Sequence, residues 1–221
     1  MDTMSTTPRG TATARTLARV GGIGLAASAV GSFAAGFLHP HGGEGSFRDT
    51  IAGFLADPAW SAAHWAGLVT MLLTAWALWV LIDSGAVGDS PAALLGSRLA
   101  LIGALVMTVE MAVEVASGAA AEAYAAGAIV PLVGLVDPLQ AVGWPAYGFG
   151  FALLALGWRG VAPRWVAIVG AVGFVAMGLG GILVQGLHIL ALGPLFAGGN
   201  LTVIWLAWAG VGLAVGRAVR A

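Results

Sequence analysis

The chain contains no cysteine, which excludes disulfides, thiolate metal sites and cysteine nucleophiles. It contains no lysine either, because all nine of its positive charges are arginine. That removes a Schiff base to retinal or pyridoxal phosphate, and any side-chain amine nucleophile. Charge of either sign is scarce, at 9% of residues with a net charge of -1. There is accordingly no basic face for nucleic acid, and neither a Walker-type nor a dinucleotide-binding glycine motif is present. Hydrolysis at a bound zinc with a glutamate base remains chemically conceivable, but no HExxH or serine-nucleophile motif supports it.

What is abundant is apolar surface. A sequence that is 59% hydrophobic, with a mean hydropathy of +0.95, cannot cover a soluble surface with enough ionic groups to stay dispersed. The chain is read as an integral membrane protein. Each crossing of a hydrocarbon core of roughly 30 Å takes about 20 apolar residues, so 221 residues hold about six spans joined by short loops. That is one bundle and not several domains. The 35 glycines suit close helix packing in lipid, where small residues let backbones approach.

Residues 1–16 are polar and threonine-rich, and read as a flexible cytoplasmic tail ahead of a single membrane domain over 17–221. The apolar pattern predicts helices near 17–38, 61–82, 94–118, 138–158, 164–186 and 195–216. The first is too long for the core of a cleaved signal peptide. Arg9, Arg15, Arg19, Arg98, Arg159, Arg164, Arg217 and Arg220 fall on one side of this topology and only Arg48 on the other. By the positive-inside pattern both termini are cytoplasmic, and the loops near 39–60, 119–137 and 187–194 face outward from the cell membrane. Within the first outer loop Phe47, Ile51, Phe54 and Leu55 recur at helical spacing, which predicts a short amphipathic helix ended at Asp57-Pro58. The expected fold class is all-α, a polytopic bundle of six transmembrane helices.

With that topology, depth follows at about 1.5 Å per residue. His39, His41 and Glu44 leave the outer end of the first span, and His64 lies just inside the outer end of the second. Glu110 and Glu114 lie about 18 Å and about 24 Å along the third span from Arg98, in its outer half. Gln140 opens the fourth span, Gln185 and His188 end the fifth, and Asn200 starts the sixth. Every histidine and glutamate is therefore expected in the outer half or the outer loops. Gln140, Asn200 and Asp137 are the polar groups any helix end carries. Glu110 and Glu114 differ, because a carboxyl group inside a span is costly and usually faces the bundle interior, paired or solvated. Four residues apart they share a helix face, and at least one keeps a proton unless a cation lies beside them. His64 shares its own face with Leu68 and Met71 and is expected to point inward.

The segments "FLHP", "DPAWSAAHW", "TVEMAVEVASGAAAEAYAAG" and "ALGWRGVAPRWVAIVGAVGF" follow one another in an order that resembles a group of six-helix integral membrane proteins of unknown function, of actinobacterial type. The resemblance spans nearly the whole chain and implies fold and location only. No site residue is carried over from it.

Imidazoles and carboxyl groups at one depth point first to an outward-facing site for a transition metal ion. Zinc, copper or iron would be held by His64, Glu110 and Glu114 with His41 or His188. A b-type haem would instead need two axial histidines from different helices, with His64 and His188 as the expected pair. A proton-coupled small-solute carrier or channel is the alternative, with the glutamates titrating and His64 as relay. A structural or partner-binding scaffold is the third. Membrane lipid is the one certain contact of such a chain, and a homo-oligomer or a partner membrane protein is compatible with it.

Overall fold

The computed structural model describes residues 9–40 and 45–217. Among these residues eight α-helices form: α1 (Arg9–Leu38), α2 (Phe47–Ala56), α3 (Ala59–Asp83), α4 (Pro91–Ser117), α5 (Ala121–Ala125), α6 (Pro131–Gly157), α7 (Arg164–Gly180) and α8 (Gly199–Ala214). No strand occurs among the described residues. Six segments are long and apolar enough to cross a membrane: Ala12–Leu38, Ala59–Asp83, Pro91–Ala125, Pro131–Gly157, Arg164–Gly186 and Leu190–Ala214. The six-helix bundle and its multi-pass character are thus as expected from the apolar runs.

Each long helix packs on its neighbour in the chain, and α8 returns to α1, so the six close on themselves. Consecutive long helices run antiparallel. This follows from paired positions: Gly21 of α1 meets Leu81 of α3, whereas Gly31 meets Thr70; Gly96 of α4 meets Leu154 of α6, whereas Gly143 of α6 meets Met107 of α4. One end of the bundle therefore collects the start of α1, the end of α3, the start of α4, the end of α6, the start of α7 and the end of α8, and with them Arg15, Arg19, Arg98, Arg159, Arg164 and Arg217. We call this the arginine end. The opposite end carries α2, α5 and, of the described residues, His39, His64 and His188.

Glycine sets how closely α4 and α6 approach. A side chain at Gly103 would collide with the backbone of Tyr147, and one at Gly150 with the backbone of Ala100, so the two helices touch main chain to main chain. Large side chains fill the middle of the bundle. Tyr147, Phe151, Phe174 and Trp205 are almost fully buried, with Phe151 and Phe174 stacked at 4.7 Å and Trp205 edge-on to both at 6.0 Å. Hydroxyl groups in the spans satisfy themselves locally: Ser28, Thr70, Thr74 and Thr108 each donate to a carbonyl four residues back.

The helix ends depart from the sequence expectation at three places. Among the described residues α1 already runs from Arg9, inside the stretch expected to be a tail, and no proline interrupts it before Leu38. α6 begins at Pro131, not near 138, and carries Pro138 and Pro145 in its interior. These two prolines leave the carbonyls of Gly134 and Ala141 without their helical donors, yet the helix continues through both. The fifth span ends in a π-helical turn, Gly181–Gly186, and a 3₁₀ segment, Leu190–Gly198, leads into α8. α6 and the π-turn lie against each other, with Gly181 fitted under Trp144 and Pro145.

Candidate functional site at the histidine end

α2 starts at a complete capping box. The Ser46 hydroxyl accepts from the Asp49 amide while the Asp49 carboxylate accepts from the Ser46 amide at 2.9 Å. The Ser46 hydroxyl, which donates to the same carboxylate at 2.6 Å, and then the Ser46 amide hold the Asp49 carboxyl below its usual range. Its apolar face, with Ile51, Phe54 and Leu55, packs on Trp60, Tyr124, Val130 and Val133, so the helix lies across the end of the bundle. Arg48 fixes it there: the guanidinium donates to the carbonyls of Tyr124 and Ala128 at 2.8 and 2.9 Å and lies over the Tyr124 ring at 4.4 Å.

Beneath α2 a cavity of about 240 Å³ opens, reaching Glu114 and Gln140 at its floor. His64, Glu110, Glu114 and Gln140 are each less than a tenth exposed and form one connected group. The Gln140 amide donates to Glu110 Oε1 at 2.5 Å and to Glu114 Oε1 at 3.0 Å. Nδ1 of His64 donates to the Trp60 carbonyl at 2.7 Å, which leaves Nε2 carrying the lone pair in the neutral ring. Nε2 then faces Glu114 Oε2 at 3.0 Å. Neither of those two atoms has another partner among the described residues, so a single proton between them satisfies both. Trp60 closes the group by stacking on His64 at 3.8 Å and donating its indole N–H to the Glu114 carbonyl at 3.0 Å. The His39 ring lies 5.2 Å from that of His64, on the cavity side.

Further acceptor atoms buried without a hydrogen-bond partner among the described residues include Glu110 Oε2, Gln140 Oε1, Gln185 Oε1 and, on α2, Thr50 Oγ1. Gln140 cannot exchange its amide ends freely, because turning it over would set its oxygen against two carboxyl groups. Its oxygen therefore points away from the glutamates.

The structure thus brings together His64, Glu110 and Glu114. His188 goes elsewhere: Nε2 pairs with Asp137 Oδ2 at 3.3 Å, its ring stacks on Phe47 at 4.1 Å, and its backbone adopts φ of 55°. A haem between His64 and His188 would require both rings to leave these carboxyl partners. His41 and Glu44 lie outside the described residues. Among the described residues no group of three or more histidine or acidic side chains is arranged to hold a metal ion.

Gln140 is the residue whose importance the sequence understated, since it was expected to cap a helix end. Because α6 starts a full seven residues before 138, Gln140 is buried inside the helix, between two prolines. An amide flanked by Pro138 and Pro145 within one apolar run is the signal that marks it. Gln185 was likewise expected only to end a helix. No family profile matches the chain, and no curated protein and no solved structure is significantly similar to it.

Proposed function

We propose that the protein is a proton-coupled carrier of small solutes in the cell membrane, with its solute site open to the exterior and both termini in the cytoplasm. The observation that carries this reading is the pair His64 and Glu114, whose facing lone pairs at 3.0 Å require a proton or a cation between them. Glu110 doubles the carboxyl group, and Gln140 ties both acids to the cavity floor. His39 lines the cavity with its ring 5.2 Å from that of His64, placed to serve as a relay for protons arriving from outside.

The helix irregularities support transport over simple binding. Broken helices with freed carbonyls surround the solute sites of many carriers, where the non-helical backbone lines a cavity. Here Pro145 and the Gln140 carbonyl of α6 meet the π-turn Gly181–Gly186, which contains Gln185. The aromatic group at Tyr147, Phe151, Phe174 and Trp205 closes the route towards the arginine end, consistent with an outward-open state. Eight arginines against one favour the arginine end as the cytoplasmic one. Reconstituted into liposomes, the protein should couple proton entry to uptake of a subset of small amines, acids or polyols. Glu110→Gln with Glu114→Gln should abolish the coupling, and undiminished flux in that double variant would rule the reading out.

A transition metal ion is the second reading, favoured by one observation. A histidine whose Nδ1–H is held by a backbone carbonyl, leaving Nε2 bare, is oriented as metal-ligating histidines are. His64 and Glu114 would be ligands, and Glu110 would have to leave the Gln140 amide and turn to join them. Elemental analysis of protein purified from its own membrane separates the readings, since only this one requires stoichiometric metal.

A further inference from the structure

The seam where α8 returns to α1 ends in arginines whose charge no other described residue matches. Arg19 of α1 and Arg217, just past α8, are far apart in the sequence but meet at the arginine end. The Arg19 guanidinium lies against Gly216, where an added Cβ would stand 3.2 Å from its Nη2 atom. Arg15 is one helical turn from Arg19 on the same face of α1. All three side chains are exposed, and none makes an ion pair or a side-chain hydrogen bond among the described residues. Asp83 and Asp89, the described acids at this end, do not pair with them. Like charges gathered at one place repel, and a shared anion relieves them.

The end of α8 does not supply that anion. A helix C-terminus attracts cations, but the turn at Gly216, with φ of 75°, closes this one through its own backbone. Val215 donates to the Val211 carbonyl, Gly216 to Leu213 and Arg217 to Gly212. The guanidinium groups are left to a ligand from outside the chain. Beside them the surface is hydrocarbon: Ile23, one turn beyond Arg19, and Val211 and Val215 on α8 are each more than half exposed. Close contact at Gly22 and Gly210 holds the two helices together there. A soluble anion would leave the hydrocarbon uncovered, and a zwitterionic lipid brings a cation of its own to the guanidinium groups.

We infer that an anionic phospholipid occupies this seam, its phosphate on Arg15, Arg19 and Arg217 and an acyl chain along Ile23, Val211 and Val215. The planar fork of arginine meets phosphate oxygens in pairs, which a lysine cannot do. The site stands apart from the carrier and metal readings, which concern the other end of the bundle.

Native mass spectrometry of the full chain, released from detergent, counts bound lipids. Phosphatidylglycerol should bind about tenfold more tightly than phosphatidylcholine with the same chains. Arg19→Gln with Arg217→Gln should weaken phosphatidylglycerol by roughly 25-fold, about fivefold for each arginine, and leave phosphatidylcholine unchanged. Arg98→Gln with Arg159→Gln removes equal charge from α4 and from the turn after α6, across the ring of helices from the seam, and should cost about twofold or less. Arg19→Lys with Arg217→Lys keeps the charge and loses the fork, so its affinity should fall between parent and glutamine pair; it reads the site even where the glutamine pair fails to fold. Equal binding of the two lipids by the parent would overturn the site. Equal loss from the two glutamine pairs would do so as well, by reducing the effect to net charge. A melting temperature that Arg19→Gln with Arg217→Gln lowers equally in phosphatidylglycerol and phosphatidylcholine nanodiscs would make these arginines caps of α8 only. Displacement of the lipid by millimolar inorganic phosphate would give the site to a soluble anion instead.

Discussion

The two ends of this bundle follow opposite rules. At the arginine end helices meet backbone to backbone, as at Gly96 against Gly150 and Gly22 against Gly210, and the polar groups close their bonds within their own helix. At the histidine end α6 carries Pro138 and Pro145 in its interior and α7 gives way to a π-turn. Polar side chains there bond between helices, and several buried acceptors stay open. In lipid, where an unmet polar group is expensive, the first arrangement is what stability alone selects. The second carries a penalty that only function explains. The contrast therefore separates the part of the molecule that holds from the part that acts.

The largest effect should come from breaking the holding end. Gly103→Leu places a side chain where the Tyr147 backbone lies, and should cost about 3 kcal/mol, the upper range for overpacking, or prevent folding outright. Thermal unfolding in detergent reads this directly, and a variant as stable as the parent would show that the α4 and α6 contact is not close-packed. Next comes Gln140→Leu. It removes the donor shared by Glu110 and Glu114, should destabilise by roughly 1–3 kcal/mol and should also eliminate proton uptake. Loss of stability with uptake intact would make Gln140 a packing residue only.

Smaller effects should come from the roof. Arg48→Ala frees α2 from Tyr124 and Ala128, and should speed hydrogen exchange of α2 amides by roughly twofold to fivefold while α4 and α6 exchange as before. The smallest is a pH effect on the same helix. Asp49 has its carboxyl pKa held below the usual 3.8 by Ser46, so its contribution to the cap is complete above that value. It is lost as pH falls through the depressed one. α2 should thus fray only in strong acid, and in Asp49→Asn this acid step should disappear from the exchange profile.

Much of the holding end was legible in the sequence. Apolar run lengths gave the six spans, and the arginines sorted the helix ends, because hydrophobicity and charge are properties of residues and not of contacts. The acidic pair on α4 and the inward turn of His64 were legible for the same reason: spacing on a single helix fixes them. What could not be read was partnership between helices. Gln140 reaches Glu110 and Glu114 only because α6 runs unbroken through two prolines, and a proline in an apolar run ordinarily marks a helix start. His188 was expected to share a site with His64, yet one residue with φ of 55° turns it to Asp137. Backbone irregularity of this kind leaves no periodic trace.

The claim on which the rest depends is that the histidine end stores an exchangeable proton between His64 and the two glutamates. Proton uptake by the full chain in nanodiscs, recorded after small acid steps in unbuffered solution, measures that store. The parent should take up protons that Glu110→Gln with Glu114→Gln does not, at equal amounts of folded protein. Superimposable uptake curves for the two would contradict the account.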